Sequence, residues 1–460
     1  MMSTKTGGNP HNILKMRDDY QPIHFEESTE EGKFKLCEGY SVSWAESEFG
    51  PQELRGQIEP WLTSLFQSEH LSLLVGSGLT HAVHFLATGE AATGMSKLEL
   101  ETYQTEIDKA SEQTANAAGR QQSNLEDQLH VANELLRGLE ILNKDGEAKN
   151  LRKELLSGMQ EFAKSILASE EAIARAKEEK REKAFNALVA FLMSFASRTG
   201  TRDRLNIFTT NYDRLIEAGA ELAGLHLLDR FIGNLTPVFR ASRLELDMHY
   251  NPPGIRGEPR YLEGVARYTK LHGSVDWVQT GQDIRRIGLP FGADSVDPHL
   301  KAPGLGRADA FHLMIYPNAA KDSETTEYPY VELFRDCAAA ICRPNSTLVT
   351  YGYGFGDEHI NRIIRDMLTI PSTHLVIISR SDTYGRILPL ASDRSSQVSL
   401  MLGPHLADLA ILTEYYLPKA AIDKATFRMG DLLRRRMGTE QSLDKSSAAT
   451  FDPLNGSDPA

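Results

Sequence analysis

Cysteine is scarce in this chain, and no two cysteines have the spacing of a structural zinc site. Only Cys37, Cys337 and Cys342 occur among the 460 residues, and no C-x-x-C pair is present. Four-cysteine zinc sites are built from such pairs, so the sequence excludes a site of that type. So few cysteines in so long a chain favour a reducing compartment.

Long apolar runs and an excess of positive charge are also missing. The longest apolar run, ALVAFLMSFA at residues 187–196, is too short to cross a bilayer, and residues 1–16 contain no apolar region of a signal peptide. Lys and Arg number 50 against 63 Asp and Glu, a formal net charge of −13. A surface that coats nucleic acid needs the opposite balance. The sequence therefore predicts a cytoplasmic protein without a membrane segment and gives no indication of nucleic-acid binding.

Proline is absent from residues 95–198, a stretch rich in Ala, Glu, Lys, Leu and Gln. Apolar residues recur there at spacings of three and four, from Leu125 to Leu139 and again from Leu151 to Ile166, which predicts amphipathic helices. The sequence NKDG at 143–146 separates the two patterns. Because the polar residues show no convergent pattern, we expect a helical hairpin or small bundle that serves packing or self-association.

Short apolar runs alternate with helical patterns on both sides of this stretch. The strand-like runs are LSLLV at 71–75, RLNIFTT at 204–210, RYTKLHG at 267–273, HLMIYPN at 312–318, STLVTYGYG at 346–354 and THLVIISR at 373–380. Apolar strands of this length, separated by helices, are typical of a parallel sheet that is covered on both faces. The fold class is therefore predicted as α/β, interrupted by a long α-helical insertion.

The same changes of composition divide the chain into six segments. They are an N-terminal segment (1–70), the first part of the α/β domain (71–97), the helical insertion (98–198), the second part of the α/β domain (199–385), a C-terminal α/β extension (386–435) and a tail (436–460). The tail is rich in Ser, Asp, Thr and Gly and has little to bury, which predicts disorder.

A glycine turn follows the first predicted strand of the α/β domain. Gly76, Ser77, Gly78 and Thr80 lie between strand 71–75 and a predicted helix. Glycine lets a backbone approach a phosphate closely, and a helix N-terminus supplies unpaired N–H groups. We therefore expect a Cβ at Gly76 or Gly78 to intrude on a bound pyrophosphate. A tight strand–helix connection without a ligand explains the same residues.

Polar side chains also end the next two strands. Thr209, Thr210, Asn211 and Asp213 follow one another at the end of strand 204–210, and His272 ends strand 267–273. Asn and Asp favour helix N-caps, which accounts for one of these residues but not for all four in the first group. Ligands of open α/β sheets bind at the carboxyl ends of the strands, so this position favours a ligand-binding role.

A fourth loop, GYGFGDEHIN at 352–361, follows strand 346–354. Gly352, Gly354 and Gly356 predict a flexible loop, and Asp357 is suited to cap the helix that follows. His359 lies off the apolar stripe of that helix, so it faces either solvent or a ligand.

Together these four stretches resemble the sirtuin family, in particular its bacterial sirtuin-like branch. GSGLT (76–80) is similar to the family's Gly-Ala-Gly-x-Ser nucleotide loop, and TTNYD (209–213) to its Thr-Gln-Asn-Ile-Asp motif. LHG (271–273) is similar to the motif with the catalytic histidine, and GYGFGDEHIN (352–361) to a later loop of the bacterial branch. The resemblance covers about residues 70–95 and 200–380, and it implies a Rossmann-like parallel sheet that binds NAD.

The resemblance also implies roles for individual residues. Asn211 is expected to hold a water molecule or the ribose hydroxyls, His272 to act as general base, and Asp213 to orient Asn211 or the ribose. Ser379 takes the place of an asparagine that often contacts the adenosine ribose in the family. The residues implied to contact NAD are Gly76, Ser77, Gly78, Thr80, Thr209, Thr210, Gly352, Gly354, Phe355, Asp357, His359 and Ser379.

Relatives in the bacterial branch cleave NAD⁺ during phage infection, so the resemblance implies an NAD⁺ glycohydrolase of anti-phage defence. NAD is then the substrate, and no zinc is expected. The resemblance further implies a homo-oligomer and a separately encoded ATPase of the HerA type as partner.

Two alternative functions stay open. An NAD-dependent protein deacylase is disfavoured by the missing zinc cysteines, whereas nothing in the sequence separates turnover from a non-catalytic NAD- or ADP-ribose-binding regulatory subunit.

Overall fold

The computed structural model describes residues 11–419 except 17, 18, 20, 46, 47, 93–96, 118–122, 199–202, 241–246, 251–259, 281, 282 and 306–328. The predicted strand 312–318, the predicted tail 436–460 and residues 420–435 of the predicted extension lie outside the described residues. Within the described residues, no helix combines the length and the apolar character needed to span a membrane.

The helices and strands of the described residues are numbered in chain order. The strands are β1 (Asn12–Lys15), β2 (Ile23–Glu27), β3 (Phe34–Leu36), β4 (Glu48–Phe49), β5 (His70–Val75), β6 (Leu205–Thr209), β7 (His226–Leu228), β8 (Phe231–Ile232), β9 (Val238–Phe239), β10 (His249–Tyr250), β11 (Arg260–Tyr261), β12 (Val265–Lys270), β13 (Trp277–Thr280), β14 (Asp283–Arg286), β15 (Ser346–Tyr351), β16 (His374–Ser379) and β17 (Val398–Leu402). The α-helices are α1 (Pro51–Phe66), α2 (Ser77–Thr88), α3 (Gln104–Ala117), α4 (Leu125–Ile141), α5 (Asp145–Ala174), α6 (Glu178–Ala196), α7 (Leu215–Ala223), α8 (Tyr330–Ile341), α9 (Glu358–Met367), α10 (Ile387–Asp393) and the short α11 (Leu409–Ile411). A 3₁₀ turn covers Asp297–Lys301, and a π turn covers Leu412–Tyr416.

An eleven-stranded sheet runs through the molecule in the order β4-β3-β2-β1-β17-β16-β15-β5-β6-β12-β7. Neighbouring strands from β17 to β7 pair in parallel. Strands β1 to β4 pair antiparallel and extend the sheet beyond β17. The predicted α/β class with a Rossmann-like parallel sheet is therefore confirmed, and part of the N-terminal segment forms an antiparallel edge of the same sheet.

The chain order of the sheet reverses between β5 and β15, which lie side by side. From β5 the chain proceeds to β6 and β12 on one side, and it later returns to β15, β16 and β17 on the other. Two loops leave the sheet in opposite directions at such a reversal, so a crevice opens outside the carboxyl ends of the strands. This crevice is the place where an open α/β sheet binds its ligand.

Both faces of the parallel strands are covered by apolar packing. All six residues of β15 and all six of β16 are buried. Successive side chains of a strand point to opposite faces, and Leu73 and Leu74 accordingly belong to two different apolar clusters. Buried strands of this kind need apolar residues at consecutive positions, which explains the continuous apolar runs of the sequence.

The predicted helical insertion is present, and its helices begin where the sequence indicates. The side chain of Asn124 accepts a hydrogen bond from the N–H of Asp127 (3.1 Å), and the Asp127 carboxylate accepts one from the N–H of Asn124 (3.0 Å). This reciprocal capping satisfies N–H groups at the start of α4. Helix α5 begins at Asp145, inside the predicted break NKDG.

Helix α6 belongs to the predicted insertion segment 98–198 but packs on the sheet. The ring of Phe191 lies 4.9 Å from the ring of Tyr351 in β15, and 5.1 Å from that of Phe195 (distances between centroids). A Cβ at Gly219 of α7 would lie 2.7 Å from Cγ of Leu188, so α6 and α7 are in close contact. The segment therefore has two structural parts, the helices α3 to α5 and a cover helix of the sheet.

We expect Phe191→Ala to lower the free energy of unfolding by about 3–5 kcal/mol, the usual cost of removing a buried ring. Phe191 is fully buried at 0% exposure, whereas Phe85 on α2 is 58% exposed and serves as the control. Phe85→Ala should change the free energy by less than about 0.5 kcal/mol. Urea unfolding of both variants provides the comparison. Equal, small effects would contradict the packing of α6 on the sheet.

Candidate active site

Three glycines bring the loops after β5 and β15 into direct contact. The N–H of Gly76 donates to the carbonyl of Tyr351 (3.0 Å), and the N–H of Gly78 donates to that of Gly352 (3.0 Å). Gly352 has a φ of +61°, a conformation that favours glycine. A Cβ at Gly76 would lie 2.5 Å from the carbonyl oxygen of Gly352, and a Cβ at Gly78 would lie 2.5 Å from its Cα. No larger residue fits at these positions without a backbone shift.

The size limit at Gly76 and Gly78 thus has a different cause from the one expected from the sequence. The backbone of Gly352, rather than a pyrophosphate, occupies the space that a Cβ would take. The N–H of Gly78 donates to the carbonyl of Gly352 and that of Leu79 to the carbonyl of Gly76, so both groups are hydrogen-bonded within the protein. Ser77, the first residue of α2, is the most exposed residue of this turn.

Asn211 links the loop after β6 to the loop after β5. Its Nδ2 donates to the carbonyl of Gly76 and to Oγ1 of Thr80, both at 3.0 Å. Oγ1 of Thr80 in turn donates to Oδ2 of Asp213 (2.5 Å). The other oxygen of Asp213 accepts a hydrogen bond from the N–H of Leu215 (3.1 Å) in the first turn of α7. Asn211 and Asp213 are both buried, and the network fixes their side chains against α2.

The oxygen of the Asn211 amide remains available for a ligand. Both hydrogens of Nδ2 are donated to protein acceptors, which sets the orientation of the amide group. No residue that the structure describes donates to Oδ1. This oxygen is an acceptor for a hydroxyl group or a water molecule.

Thr209 and Thr210 join the end of β6 to β5. Oγ1 of Thr209 donates to the carbonyl of Val75 (3.0 Å) and accepts the N–H of Asn211 (3.0 Å). The N–H of Thr210 donates to the same carbonyl (3.2 Å). Thr209 is buried at 1% exposure, and its hydroxyl is engaged in holding the strand end.

His272, just after β12, and Asp357, in the loop after β15, form a buried pair. Nε2 of His272 lies 2.9 Å from Oδ2 of Asp357, and the two side chains are 4% and 6% exposed. The other oxygen of Asp357 accepts the N–H groups of His359 (2.9 Å) and Ile360 (3.4 Å) and so caps α9. A carboxylate opposite Nε2 favours the tautomer with the proton on Nε2, which leaves the lone pair on Nδ1.

Hydrogen bonds hold the loop after β15 in one shape. Phe355 has a φ of +56°, and its carbonyl accepts Nδ2 of Asn361 and Nη1 of Arg386, both at 2.8 Å. Oη of Tyr353 lies 3.0 Å from Oδ1 of Asn361 and 3.1 Å from the carbonyl of Asp357. Burial raises the pKa of Tyr353 well above its ordinary value, so its hydroxyl stays a donor. The loop predicted to be flexible is therefore firmly anchored beside the histidine.

The remaining predicted contacts lie along the same edge of the sheet. The side chain of Ser379, at the end of β16, donates to the carbonyl of Ser381 (3.0 Å). A Cβ at Gly354 would lie 3.4 Å from the ring of Tyr384, and the ring of His359 lies 6.2 Å from that of Phe334. The structure thus brings the residues after β5 and β6 together with Gly352, places the His272–Asp357 pair at β12 and β15, and leaves Ser379 on a strand farther out.

A buried lysine beneath the loop was not predicted from the sequence. Nζ of Lys270 donates to the carbonyls of Tyr212 (3.5 Å) and Asp213, and it lies 3.2 Å from Oε1 of Glu217. Burial raises the pKa of Glu217, and the charge of Lys270 opposes this rise. A lysine inside the apolar strand RYTKLHG was the visible signal, but its partners lie more than fifty positions away in the chain.

Comparison with known protein families finds one match, which covers part of the chain. Residues 205–397 match the family model described as a SIR2-like domain. The match covers less than half of the chain, begins after the glycine turn at 76–80, and includes Asn211, Asp213, His272 and Asp357. It supports a sirtuin-like family, which uses NAD. No curated protein matches the chain.

We expect Gly78→Ala to lower the free energy of unfolding by about 1–3 kcal/mol, the usual cost of overpacking. The added Cβ would lie 2.5 Å from Cα of Gly352, whose backbone must move. Gly138→Ala in the interior of α4 is the control, because no atom lies within 4 Å of its added Cβ. Alanine favours a helix interior by about 0.5–1 kcal/mol, so this control should be neutral or more stable. Equal melting temperatures of the two variants would contradict the contact between the loops.

Proposed function

We propose that the chain is an NAD⁺ glycohydrolase, which converts NAD⁺ and water to ADP-ribose and nicotinamide. The observation that carries the proposal is the arrangement at two neighbouring strand ends. Asn211 keeps an acceptor oxygen in a fixed orientation, and His272 is paired with Asp357. Both lie inside the range that matches the SIR2-like domain.

The reaction breaks the bond between the pyridinium nitrogen and C1′ of the nicotinamide ribose. The bonding electrons go to the nitrogen and neutralise the pyridinium, while positive charge develops at C1′ and the ring oxygen. Water then forms the new bond to C1′ and gives up a proton. A protein accelerates such a step by orienting the ribose and the water and by accepting the proton.

The side chains at the strand ends suit these tasks. Oδ1 of Asn211 would accept a hydrogen bond from a ribose hydroxyl or from the attacking water. His272 would take the proton of the water on Nδ1, and Asp357 would stabilise the imidazolium that forms, as carboxylates do in acid–base triads. Asp213 would act through Thr80, because these two side chains are hydrogen-bonded. General-base catalysis by a positioned histidine contributes about 10²–10⁴-fold.

The other NAD contacts and the biological setting belong to the same proposal. The pyrophosphate would lie near Ser77 at the start of α2, and the adenosine would extend toward Ser379. On the basis of the resemblance to the bacterial branch, the proposal includes a role in anti-phage defence, as a cytoplasmic homo-oligomer with an ATPase of the HerA type as partner. The missing zinc cysteines argue against a protein deacylase. A non-catalytic NAD- or ADP-ribose-binding subunit is the alternative that kinetic measurements must exclude.

We expect His272→Ala and Asn211→Ala to lower kcat for NAD⁺ cleavage on the order of 10²-fold or more, with a much smaller change in NAD⁺ affinity. Both groups act mainly in the transition state, so binding should survive their removal. Thr210→Ala should have a milder effect. Chromatography of nicotinamide and ADP-ribose gives the rates, and calorimetry on the same proteins gives the affinities.

His374→Ala is the matched control for this experiment. His374 is also a buried strand histidine. It begins β16 and so lies at the amino ends of the parallel strands, away from the candidate active site, where its Nε2 contacts Oγ of Ser399 (2.9 Å). Its kcat per folded molecule should equal that of the unchanged chain. Normal turnover in His272→Ala would remove His272 from the mechanism, and lost affinity with a normal kcat would make it a binding residue only.

We expect Asp357→Asn to lower kcat by at least about tenfold while the melting temperature stays nearly constant. Asn caps helices about as well as Asp, so α9 keeps its N-cap. Its amide, however, lacks the negative charge and can donate to Nε2 of His272, which favours the wrong tautomer. Asp408→Asn is the control, since Asp408 also caps a helix through its side chain (3.0 Å to the N–H of Ile411). A kcat equal to that of the control would show that the Asp357 charge does not assist His272.

A further inference from the structure

The loop between β6 and α7 presents its side chains alternately to two sides. Asn211 and Asp213 contact Thr80 and the glycine turn. Tyr212 and Arg214, the residues between and after them, contact helix α5 of the insertion. Two of the three predicted catalytic side chains and the contacts to the insertion thus belong to the same four consecutive residues.

The contact of Arg214 with α5 is a buried, multiply hydrogen-bonded ion pair. The carboxylate of Glu170 accepts the backbone N–H of Arg214 (2.7 Å), its Nε (3.3 Å) and its Nη2. The guanidinium also donates to the carbonyls of Leu289 and Pro290. The side chains of Arg214 and Glu170 are 6% and 1% exposed. Both ends of the arginine, backbone and guanidinium, are therefore bound to one glutamate of α5.

The contact of Tyr212 with α5 is aromatic. Its ring meets that of Phe162 edge-on, with the centroids 5.5 Å apart and an interplanar angle of 84°. The ring of Tyr212 also lies near the ring of His272, at a centroid distance of 6.3 Å. Tyr212 thus contacts α5 and also lies close to the imidazole.

The backbone of the same loop is held from β12. The carbonyl of Tyr212 accepts the N–H of Val275 (3.0 Å) and Oγ of Ser274 (3.3 Å), in addition to Nζ of Lys270. Hydrogen bonds from β12 and its following turn thus hold the backbone of the loop, and α5 contacts the side chains of Tyr212 and Arg214.

Stability alone gives a weak reason for a buried ion pair at this place. Removing two charges from water costs several kcal/mol each, and apolar replacements of such pairs are often neutral or stabilising. Burial raises the pKa of Glu170, and the contact with Arg214 opposes this rise. What such a pair supplies is geometry, because a carboxylate and a guanidinium fork fix each other's position and angle.

We propose that α5 is a positioning element of the active site. Glu170, through Arg214, and Phe162, through Tyr212, hold the strand-end loop so that Asn211 and Asp213 keep their orientation. Neither Glu170 nor Phe162 touches the substrate or the attacking water, so both are positioning residues. The inference rests on the proposed NAD⁺ cleavage, and it gives the insertion a role beyond the packing or self-association expected from the sequence.

Glu170→Gln in the full chain tests the ion pair. The Gln amide has the size of the carboxylate but carries no charge and has only one acceptor oxygen. It therefore cannot replace the carboxylate as acceptor for the three N–H groups of Arg214. Asp247→Asn is the matched control, because Asp247 accepts Nε of Arg204 (2.9 Å) in another, partly buried ion pair, with side chains 10% and 9% exposed. Arg204 directly precedes β6, at the end of the strand opposite to the active-site loop. Phe162→Leu tests the aromatic contact independently. It also tests the positioning role of α5 if Glu170→Gln does not fold.

The kinetic comparison separates positioning from stability. We expect Glu170→Gln to lower kcat for NAD⁺ cleavage about tenfold or more, with KM changed less than about threefold, because a misplaced catalytic group loses the benefit of orientation. Phe162→Leu should shift kcat in the same direction. Asp247→Asn should lower the melting temperature by a similar amount without changing kcat per folded molecule. Reduced melting temperature with normal kcat in both α5 variants would overturn the proposal.

Amide hydrogen exchange provides a readout that needs no catalysis. We expect the peptide that covers residues 209–216 to exchange faster in Glu170→Gln than in the unchanged chain, while Asp247→Asn leaves it unaltered. If the unchanged chain cleaves no NAD⁺, the proposed function fails, and the exchange result alone decides the positioning role. Equal exchange of this peptide in Glu170→Gln, Phe162→Leu and the unchanged chain would overturn that role.

Discussion

Asn211 donates both hydrogens of its side-chain amide across the end of the sheet, to the carbonyl of Gly76 and the hydroxyl of Thr80. The rest of the site depends on these two hydrogen bonds. They set the direction of the amide oxygen, they place Thr80 to donate to Asp213, and they tie the loop of β6 to the turn whose backbone contacts Gly352. A structural change in the loop after β5, β6 or β15 would therefore alter the orientation of the Asn211 side chain.

The loop that carries Asn211 has no regular structure of its own, so its shape comes from its neighbours. Lys270 and the turn after β12 bind its backbone, and Glu170 of α5 binds Arg214 at its end. His272 is oriented separately, through Asp357, whose second oxygen caps α9. Elements far apart in the sequence thus converge on one edge of the sheet.

The parallel sheet and the strand ends could be predicted from the sequence, because continuous apolar runs followed by polar residues have few other solutions in an α/β protein. The break between α4 and α5 was equally visible. The His272–Asp357 pair could not be predicted, since capping already explained Asp357 and its partner lies 85 positions away. Two further contacts depend on tertiary packing, which helical periodicity does not reveal. They are the glycine contact between the loops after β5 and β15 and the ion pair Glu170–Arg214. The packing of α6 on the sheet escaped prediction for the same reason, because a charged first half followed by an apolar run fits both a bundle helix and a sheet cover.

The central claim is that the protein hydrolyses NAD⁺ at this site without an acylated peptide as co-substrate. The most direct measurement is to incubate the purified full chain with NAD⁺ alone and to quantify nicotinamide and ADP-ribose over time. The account predicts that both products form in equal amounts, without an acylated peptide. Unchanged NAD⁺ in the presence of tight binding, or consumption only after an acylated peptide is added, would contradict it.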